Sequence, residues 1–417
     1  MIRRRVLVGS ALATPFLARS GHAQSAMRVV VIGGGFGGAS AARALRVADP
    51  SIAVTLVEAN ATYIACPYSN EVVAGMRDLD LQRFGTEGIG RTGVTVVQAT
   101  ATGVDPVARR VALAGLPTLD YDRLILSPGV DLNYEALPGY SEAAAARMPH
   151  AWKAGPQTTL LRQQLQAMPD GGTVVMSIPA NPYRCPPGPY ERASLIAHYL
   201  KTQKPRAKLI LLDAKDVFSK QKLFQQAWAQ LYPNLTWTSL SDGGKTISVD
   251  AGAMTLTTDF GDQKADVANV IPPQRAGRIA MLAGVADRTG WCPVDPMTFE
   301  SKLQPNIHVI GDAAIMGAMP KSAFAANAQA KVCAAAIARA LHGEAAVEPR
   351  LLNTCYSLAA PGYGFSVAGV YHPINGQMTD IEGAGGTSPL DAPATTRALE
   401  ASYGAAWFKA ITAEAFG

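Results

Sequence analysis

Two periods of apolar residues run through this chain, and their order predicts the elements. Met27-Arg-Val-Val-Val-Ile32 and Ala53-Val-Thr-Leu-Val57 are unbroken apolar runs of strand length. Runs without alternation suit parallel strands covered on both faces. Between them, residues 39–48 read as a helix that opens directly after Gly33-Gly-Gly-Phe-Gly-Gly38. Gly33, Gly35 and Gly38 occupy the G-x-G-x-x-G positions, and Glu58 closes the second strand about 20 residues further on. Together these predict a βαβ unit that binds a dinucleotide. The glycines give a tight turn and close approach to a pyrophosphate, and the acid takes ribose hydroxyls.

The pattern continues as a split domain. Segments between Thr95 and Leu119 suit a small antiparallel insert, and Asp122–Gly129 reads as a returning strand and turn. A second α/β region covers about 140–260, with a strand at 173–178, a helix from about Glu191 to Thr202 and a strand at 208–212. Residues 241–262 read as turns and short edge strands. Asn306-Ile-His-Val-Ile-Gly-Asp-Ala313 is a strand ending in Gly311-Asp312, followed by a long helix over 322–341. That strand with Gly-Asp is how flavin adenine dinucleotide (FAD) proteins hold the ribitol, with the next helix turned toward the flavin.

At the corresponding place in the second region, a nicotinamide-binding glycine turn would follow residues 173–178. Asn181-Pro-Tyr-Arg-Cys-Pro-Pro-Gly-Pro-Tyr-Glu191 stands there instead. Prolines remove N–H donors and fix φ, which argues against a second dinucleotide and for a rigidly held Cys185.

With 417 residues, 48% of them hydrophobic, the chain can bury two or three cores. Its first residues, Met-Ile-Arg-Arg-Arg-Val-Leu-Val, join a basic region to a short apolar one, and Gly21-His22-Ala23 supplies small residues for cleavage. An export signal over 1–23 is expected, of twin-arginine type, with a periplasmic product. Those residues hold Arg3, Arg4, Arg5 and Arg19 and no acid, so the cleaved chain is nearly neutral rather than at +5. Nothing in that balance calls for nucleic acid, and no apolar run after the signal is long enough to span a bilayer.

Five cysteines are present: Cys66, Cys185, Cys292, Cys333 and Cys355. An oxidising compartment permits disulfides, and an odd number leaves one sulfur over. Cys333, in an Ala-rich helix, and Cys292 read as buried thiols. Cys66 stands in Tyr63-Ile-Ala-Cys-Pro-Tyr-Ser-Asn-Glu71, a stretch that would pass beside a flavin. From the residues alone it suits a redox thiol, a covalent flavin anchor or a packed structural residue equally.

These motifs together resemble the flavoprotein subunit of flavocytochrome c sulfide dehydrogenase, over nearly all of the chain after the signal. The resemblance is carried by Gly33–Gly38 with Glu58, Cys66–Glu71, Tyr183–Glu191, Gly290-Trp-Cys-Pro-Val-Asp295, Thr298–Ser301, Ile307–Asp312, Met319-Pro-Lys-Ser322, Asn353-Thr-Cys-Tyr-Ser357, Ala360–Gly364 and Trp407–Gly417. Pro67 departs from the usual pattern. The resemblance implies an α/β, glutathione-reductase-like fold of two Rossmann-like domains. Residues 24–135 and 265–345 would form the split FAD domain, 136–264 the second domain, and 346–417 a segment covering the flavin.

It further implies that Cys66 forms a thioether to the flavin, that Cys185 and Cys355 form a redox disulfide against the ring, and that Glu191 is the nearby carboxylate. Gly33, Gly35, Gly38, Glu58, Gly311, Asp312, Lys321 and Trp407 would contact the cofactor. Plainer roles stand beside these: a structural staple for the disulfide, a helix-dipole partner for Glu191, core packing for Trp407. The implied activity is oxidation of sulfide to zero-valent sulfur or polysulfide. The chain has no Cys-x-x-Cys-His, so a separate cytochrome c subunit would receive the electrons. The rivals are a quinone-linked sulfide oxidoreductase, which would want an amphipathic C-terminus, and a non-catalytic flavoprotein partner of a sulfur-oxidising complex. Residues 351–417 read instead as Gly/Pro-rich with a short closing segment.

Overall fold

The computed structural model of the protein describes residues 27–417. The expected export signal and its cleavage site lie outside the described residues.

The first apolar run becomes the strand Arg28–Ile32 at the centre of a five-stranded parallel sheet. Its neighbours are Ala53–Glu58 on one side and Arg123–Leu126 on the other, with Ile32 opposite both Val57 and Leu126. Thr95–Gln98 and Ile307–Val309 form the two edges. Thr95–Gln98 was expected in the antiparallel insert; that insert is confined to the strands within 101–120. The chain leaves the central strand toward both sides, so a crevice opens beyond the carboxyl ends of the strands.

The helix Phe36–Ala48 starts at once after the glycine loop. Gly33 sits at φ +100, where a side chain would be strained, and a Cβ on Gly38 would fall 1.8 Å from the Gly33 carbonyl oxygen. Only glycine allows strand and helix to meet this closely. Ala323–Leu341 packs beside this helix, capped by Ser322, whose hydroxyl accepts from the Ala325 N–H. Ile307–Val309 and this helix thus return to the first sheet from far along the chain.

The second sheet is also parallel, in the order Leu235–Thr238, Lys208–Asp213, Thr173–Ile178, Val267–Val270. The boundary expected at 264/265 is corrected here. Val267–Val270 is buried throughout and pairs with Val174–Ser177, so the second domain runs to about residue 272. The chain crosses between domains through an antiparallel ribbon, Val130–Leu132 with Gln274–Ala276. Residues 241–262, read as turns and short edge strands, hold instead a separate antiparallel sheet of Thr246–Asp250, Thr255–Thr258 and Gly261–Lys264. The helix after the proline run begins at Gly188, three residues before expectation, because proline is tolerated in a first helical turn.

The C-terminal segment differs most from expectation. Leu351–Ala360 and Tyr363–Ile374 form a long hairpin extended by Gln377–Asp380. Residues read as a short closing piece are a 23-residue helix, Ala394–Phe416. It buries Phe408, Ile411 and Phe416, and the Phe416 ring lies 5.3 Å from Phe36 and 5.0 Å from Phe84. Its many alanines blurred the apolar period. Among the described residues no helix is long and apolar enough to cross a membrane.

Candidate active site

One cavity of about 770 Å³ runs from the glycine loop to the hairpin, a volume suited to a large cofactor. Gly33, Gly35, Glu58, Cys66, Cys185, Glu191, Gly311, Asp312, Cys355 and Trp407 all line it. Gly38 and Lys321 do not.

At one end, helix Phe36–Ala48 presents its N-terminus with no side-chain cap and no acid in its first turn. Free N–H groups with a positive dipole end suit a pyrophosphate. Glu58 accepts from the Gly34 N–H at 2.6 Å and from Asn60 at 2.9 Å through backbone and amide nitrogens. Its carboxylate is thereby aimed into the cavity beside the loop.

At the middle, Asp312 is held in the turn Gly311–Ala313, and the Gly311 N–H donates to Gln329 Oε1 at 2.7 Å. Asp312 Oδ1 is buried without a hydrogen-bond partner among the described residues. Burial pushes this carboxyl up, opposed by Arg184 and Lys321. A buried orphan acceptor is costly, about 1–3 kcal/mol, and a ribitol hydroxyl would relieve it. With the glycine loop and Glu58, this fits FAD.

Lys321 needs a correction. Its ammonium donates to the carbonyls of Asp312 (2.7 Å) and Ala314 (2.8 Å) and lies 4.0 Å from the Trp291 ring centre. It braces the Asp312 turn from behind, and burial lowers its pKa to about 8. Its backbone carbonyl accepts from the Cys185 N–H at 2.8 Å.

The sulfur-bearing side is built by three separate elements. Cys66 follows the short strand Tyr63–Ile64, and its sulfur lies 3.8 Å from the Trp152 carbonyl, to which the Arg184 guanidinium also donates. Cys185 sits at φ +58, strained backbone for a non-glycine residue. Its carbonyl accepts from Gly188 N–H at 2.8 Å, and Tyr183 Oη donates to the Pro186 carbonyl at 2.9 Å. The proline run thus presents one sulfur rigidly. Burial pushes the Cys185 thiol up, and Cys355 and Glu191 add to that. Cys355 comes from the strand Leu351–Ala360, and Asn353 Nδ2 donates to its sulfur at 3.2 Å.

The expected disulfide between Cys185 and Cys355 is not formed in this structure: both sulfurs are free. They line the same cavity.

Glu191 links the proline-led helix to the cavity. It lies in the first turn of helix Gly188–Gln203, and it lines the cavity. Oε2 accepts from Asn70 Nδ2 at 2.8 Å and Oε1 from the Leu358 N–H at 2.9 Å. Burial raises its pKa against those two hydrogen bonds. Trp407 stands on the C-terminal helix with its ring stacked on Phe324, centres 6.2 Å apart.

Sequence reasoning missed the charged residues that surround these. Arg192 is 2% exposed and donates to Asn70, His150, Ala151 and Asn269. Lys220 Nζ donates to the Cys355 carbonyl and to Ser357 Oγ, both at 2.7 Å. Burial and Glu191 raise Glu71 to about 7, opposed by Arg77 at 3.9 Å. Arg and Lys in a helical or loop pattern read as solvent-facing, so no local signal marked them; Asn70 and Glu71 at least fell inside the quoted Cys66 motif.

Comparison with known proteins agrees with this geometry. Residues 158–272 match the family described as "Sulfide dehydrogenase [flavocytochrome c] flavoprotein chain, central", and residues 347–416 match "Flavocytochrome c sulphide dehydrogenase, flavin-binding". Residues 27–164 match "Pyridine nucleotide-disulphide oxidoreductase". The flavoprotein chain of flavocytochrome c sulfide dehydrogenase from Chlorobaculum thiosulfatiphilum is 64% identical over 45 residues, 94% of that sequence and 11% of this one. The mitochondrial sulfide:quinone oxidoreductase of Mus musculus is 25% identical over 309 residues, 70% of this chain and 66% of that protein. The solved sulfide:quinone oxidoreductase of Aquifex aeolicus superposes with a TM-score of 0.72 at 16% identity, covering 93% of this chain and 92% of that one. That last likeness shows the fold, two dinucleotide-binding domains.

Proposed function

The chain belongs to the family of the flavoprotein chain of flavocytochrome c sulfide dehydrogenase, and from that premise we propose that it oxidises sulfide with a bound FAD and passes the electrons to a cytochrome c subunit. The observation that carries this reading is the convergence of Cys66, Cys185, Cys355 and Glu191 on the cavity that also holds the glycine loop, Glu58 and Asp312.

In this reading Cys66 anchors the flavin covalently, and Cys185 and Cys355 cycle between dithiol and disulfide. Hydrosulfide forms a sulfur–sulfur bond to one cysteine as the bond between the cysteines breaks, and the other leaves as a thiolate. A second hydrosulfide carries the outer sulfur away as a hydropersulfide anion, which leaves the dithiol. Closing the disulfide again releases two protons and two electrons; bound flavin supplies the two-electron sink. Glu191, its pKa raised by burial, accepts one of those protons at a carboxylate oxygen. The prolines around Cys185 keep its sulfur in position, since misplacement costs rate. Export to the periplasm through residues 1–23 remains part of the proposal.

A quinone-linked oxidoreductase is the second reading. The match to the mouse protein favours it, whereas the C-terminal helix buries Phe408, Ile411 and Phe416 in the protein's own interior. Anaerobic sulfide titration of the flavoprotein tests both. Sulfide should bleach the flavin, and Cys185→Ser should abolish bleaching. Steady-state reduction of cytochrome c without quinone would support the first reading; turnover with a quinone analogue alone would overturn it.

A further inference from the structure

The two sulfurs are held differently, and the difference lies behind Cys355. Its sulfur accepts from Asn353 Nδ2 at 3.2 Å. Asn353 is 2% exposed, and Ser322 Oγ donates to its Oδ1 at 2.5 Å, which leaves Nδ2 turned toward the sulfur. The backbone of the same cysteine is gripped by Lys220. That residue sits at φ +62 just before helix Gln221–Leu231.

Both acceptors of Lys220 are neutral, the Cys355 carbonyl and Ser357 Oγ, and among the described residues it makes no ion pair with a carboxylate. A buried cation without a counter-ion is costly unless negative charge appears nearby. Burial lowers its pKa, while Cys355, Glu191, Cys185 and Glu400 hold it up. Lys220 and Arg184 also favour the charged form of Cys185, though less than burial opposes it. No hydrogen bond reaches its sulfur among the described residues, and its N–H is spent on the Lys321 carbonyl. Both cysteines are half-buried.

We propose that Asn353 and Lys220 are positioning residues that place the negative charge of the opened sulfur pair on Cys355, so that hydrosulfide attacks Cys185 and the persulfide forms there. The proposal rests on the redox role of the pair given above. In the step, the hydrosulfide sulfur bonds to Cys185 Sγ, and the Cys185–Cys355 bond breaks with its electron pair on Cys355 Sγ. The proton stays on the outer sulfur, and no electron leaves the three sulfurs. A better-stabilised thiolate is the faster leaving group. Of the other titratable groups, Tyr371 faces Cys355 from the adjacent strand, and Glu191 lines the same cavity from the proline-led helix.

Two measurements on the flavin-loaded protein test it. First, the dithiol form is alkylated with iodoacetamide from pH 5 to 9, without sulfide, and the sites are mapped by mass spectrometry. Cys355 should react ahead of Cys185 at the lower pH. Lys220→Met should slow Cys355 about tenfold at neutral pH, one unit of thiol pKa, while Lys220→Arg keeps the wild-type profile. Asn353→Ala gives an independent reading of the same shift. Cys185 reacting first in the wild type, or an unchanged Cys355 profile in both Lys220→Met and Asn353→Ala, overturns the proposal. Second, one equivalent of sulfide is added to the disulfide form and the persulfide is trapped and mapped. A persulfide on Cys185 supports the assignment; one on Cys355 refutes it while leaving sulfide oxidation intact. Failure of sulfide to bleach the flavin would instead refute the proposed function.

Discussion

Asn70 Nδ2 donates to Glu191 Oε2 at 2.8 Å, and Asn70 Oδ1 accepts from Arg192 Nε at 2.9 Å. One amide therefore ties the short helix after Cys66 to the helix that follows Cys185, and both domains meet at the cavity wall through it. Because Arg192 is fully enclosed, the amide also satisfies one end of a buried guanidinium whose pKa is lowered by burial to about 10.

Asn70→Ala should leave Glu191 and Arg192 each one partner short. Thermal unfolding of the flavin-loaded protein should show a loss of about 1–3 kcal/mol, the cost of buried groups left unpaired. Sulfide-dependent bleaching should slow in the same variant. Unchanged stability would mean that water replaces the amide.

Glu71 supplies a pH dependence whose sign follows from its shift. Its folded pKa, about 7, lies above the ordinary 4.5, chiefly through burial and then Glu191. The folded state holds the proton more tightly, so this contribution to stability is complete below pH 4.5 and is lost as pH rises through 7. Denaturant midpoints measured from pH 5 to 8 should fall across that window. Glu71→Gln should flatten the slope and stabilise the protein by about 1–2 kcal/mol at pH 8, allowing for solvent screening. An identical slope in the variant would assign the dependence elsewhere.

Cys66 should carry the flavin through denaturation. An acid-denatured mass spectrum of the wild type should show one flavin adduct, mapped to the peptide containing Cys66. In Cys66→Ala the flavin should be released by acid while still copurifying with the folded chain, because Glu58, the glycine loop and Asp312 remain. An acid-stable adduct in Cys66→Ala would place the attachment at another residue.

Asp312 is best tested where binding is reversible. Adding Asp312→Ala to Cys66→Ala should weaken FAD at least about tenfold, the loss of one hydrogen bond to a buried carboxylate, about 1.4 kcal/mol. Flavin fluorescence during apoprotein titration reads this directly. Equal affinity in the single and double variants would deny Asp312 its role with the ribitol.

Everything encoded by neighbours in the chain could be read before folding. Gly33, Gly35, Gly38 and Glu58 lie on one βαβ unit, so their spacing alone dictates where they meet, and the same is true of Gly311 with Asp312. The strand 173–178 and the helix after the prolines were legible for that reason. Burial of Cys333 followed from its Ala-rich helix, Cys292 was read as buried by default, and both are buried. The resemblance supplied Cys66, Cys185, Glu191, Cys355 and Trp407, which line one cavity, although no spacing relates them.

What tertiary structure decided is where non-neighbours come to rest. Val267–Val270 is apolar enough for either sheet, and only pairing with Val174–Ser177 assigns it to the second. Lys321 belongs to a motif yet turns its ammonium onto backbone carbonyls rather than into the cavity. The closing helix is stabilised by Phe36, Tyr63 and Phe84 against Phe416, contacts that no local period encodes. Lys220, Asn70 and Arg192 acquire their partners in the same way. Spacing along a chain governs backbone geometry within an element, whereas the surroundings of a charge or a sulfur are set by the elements that pack against it.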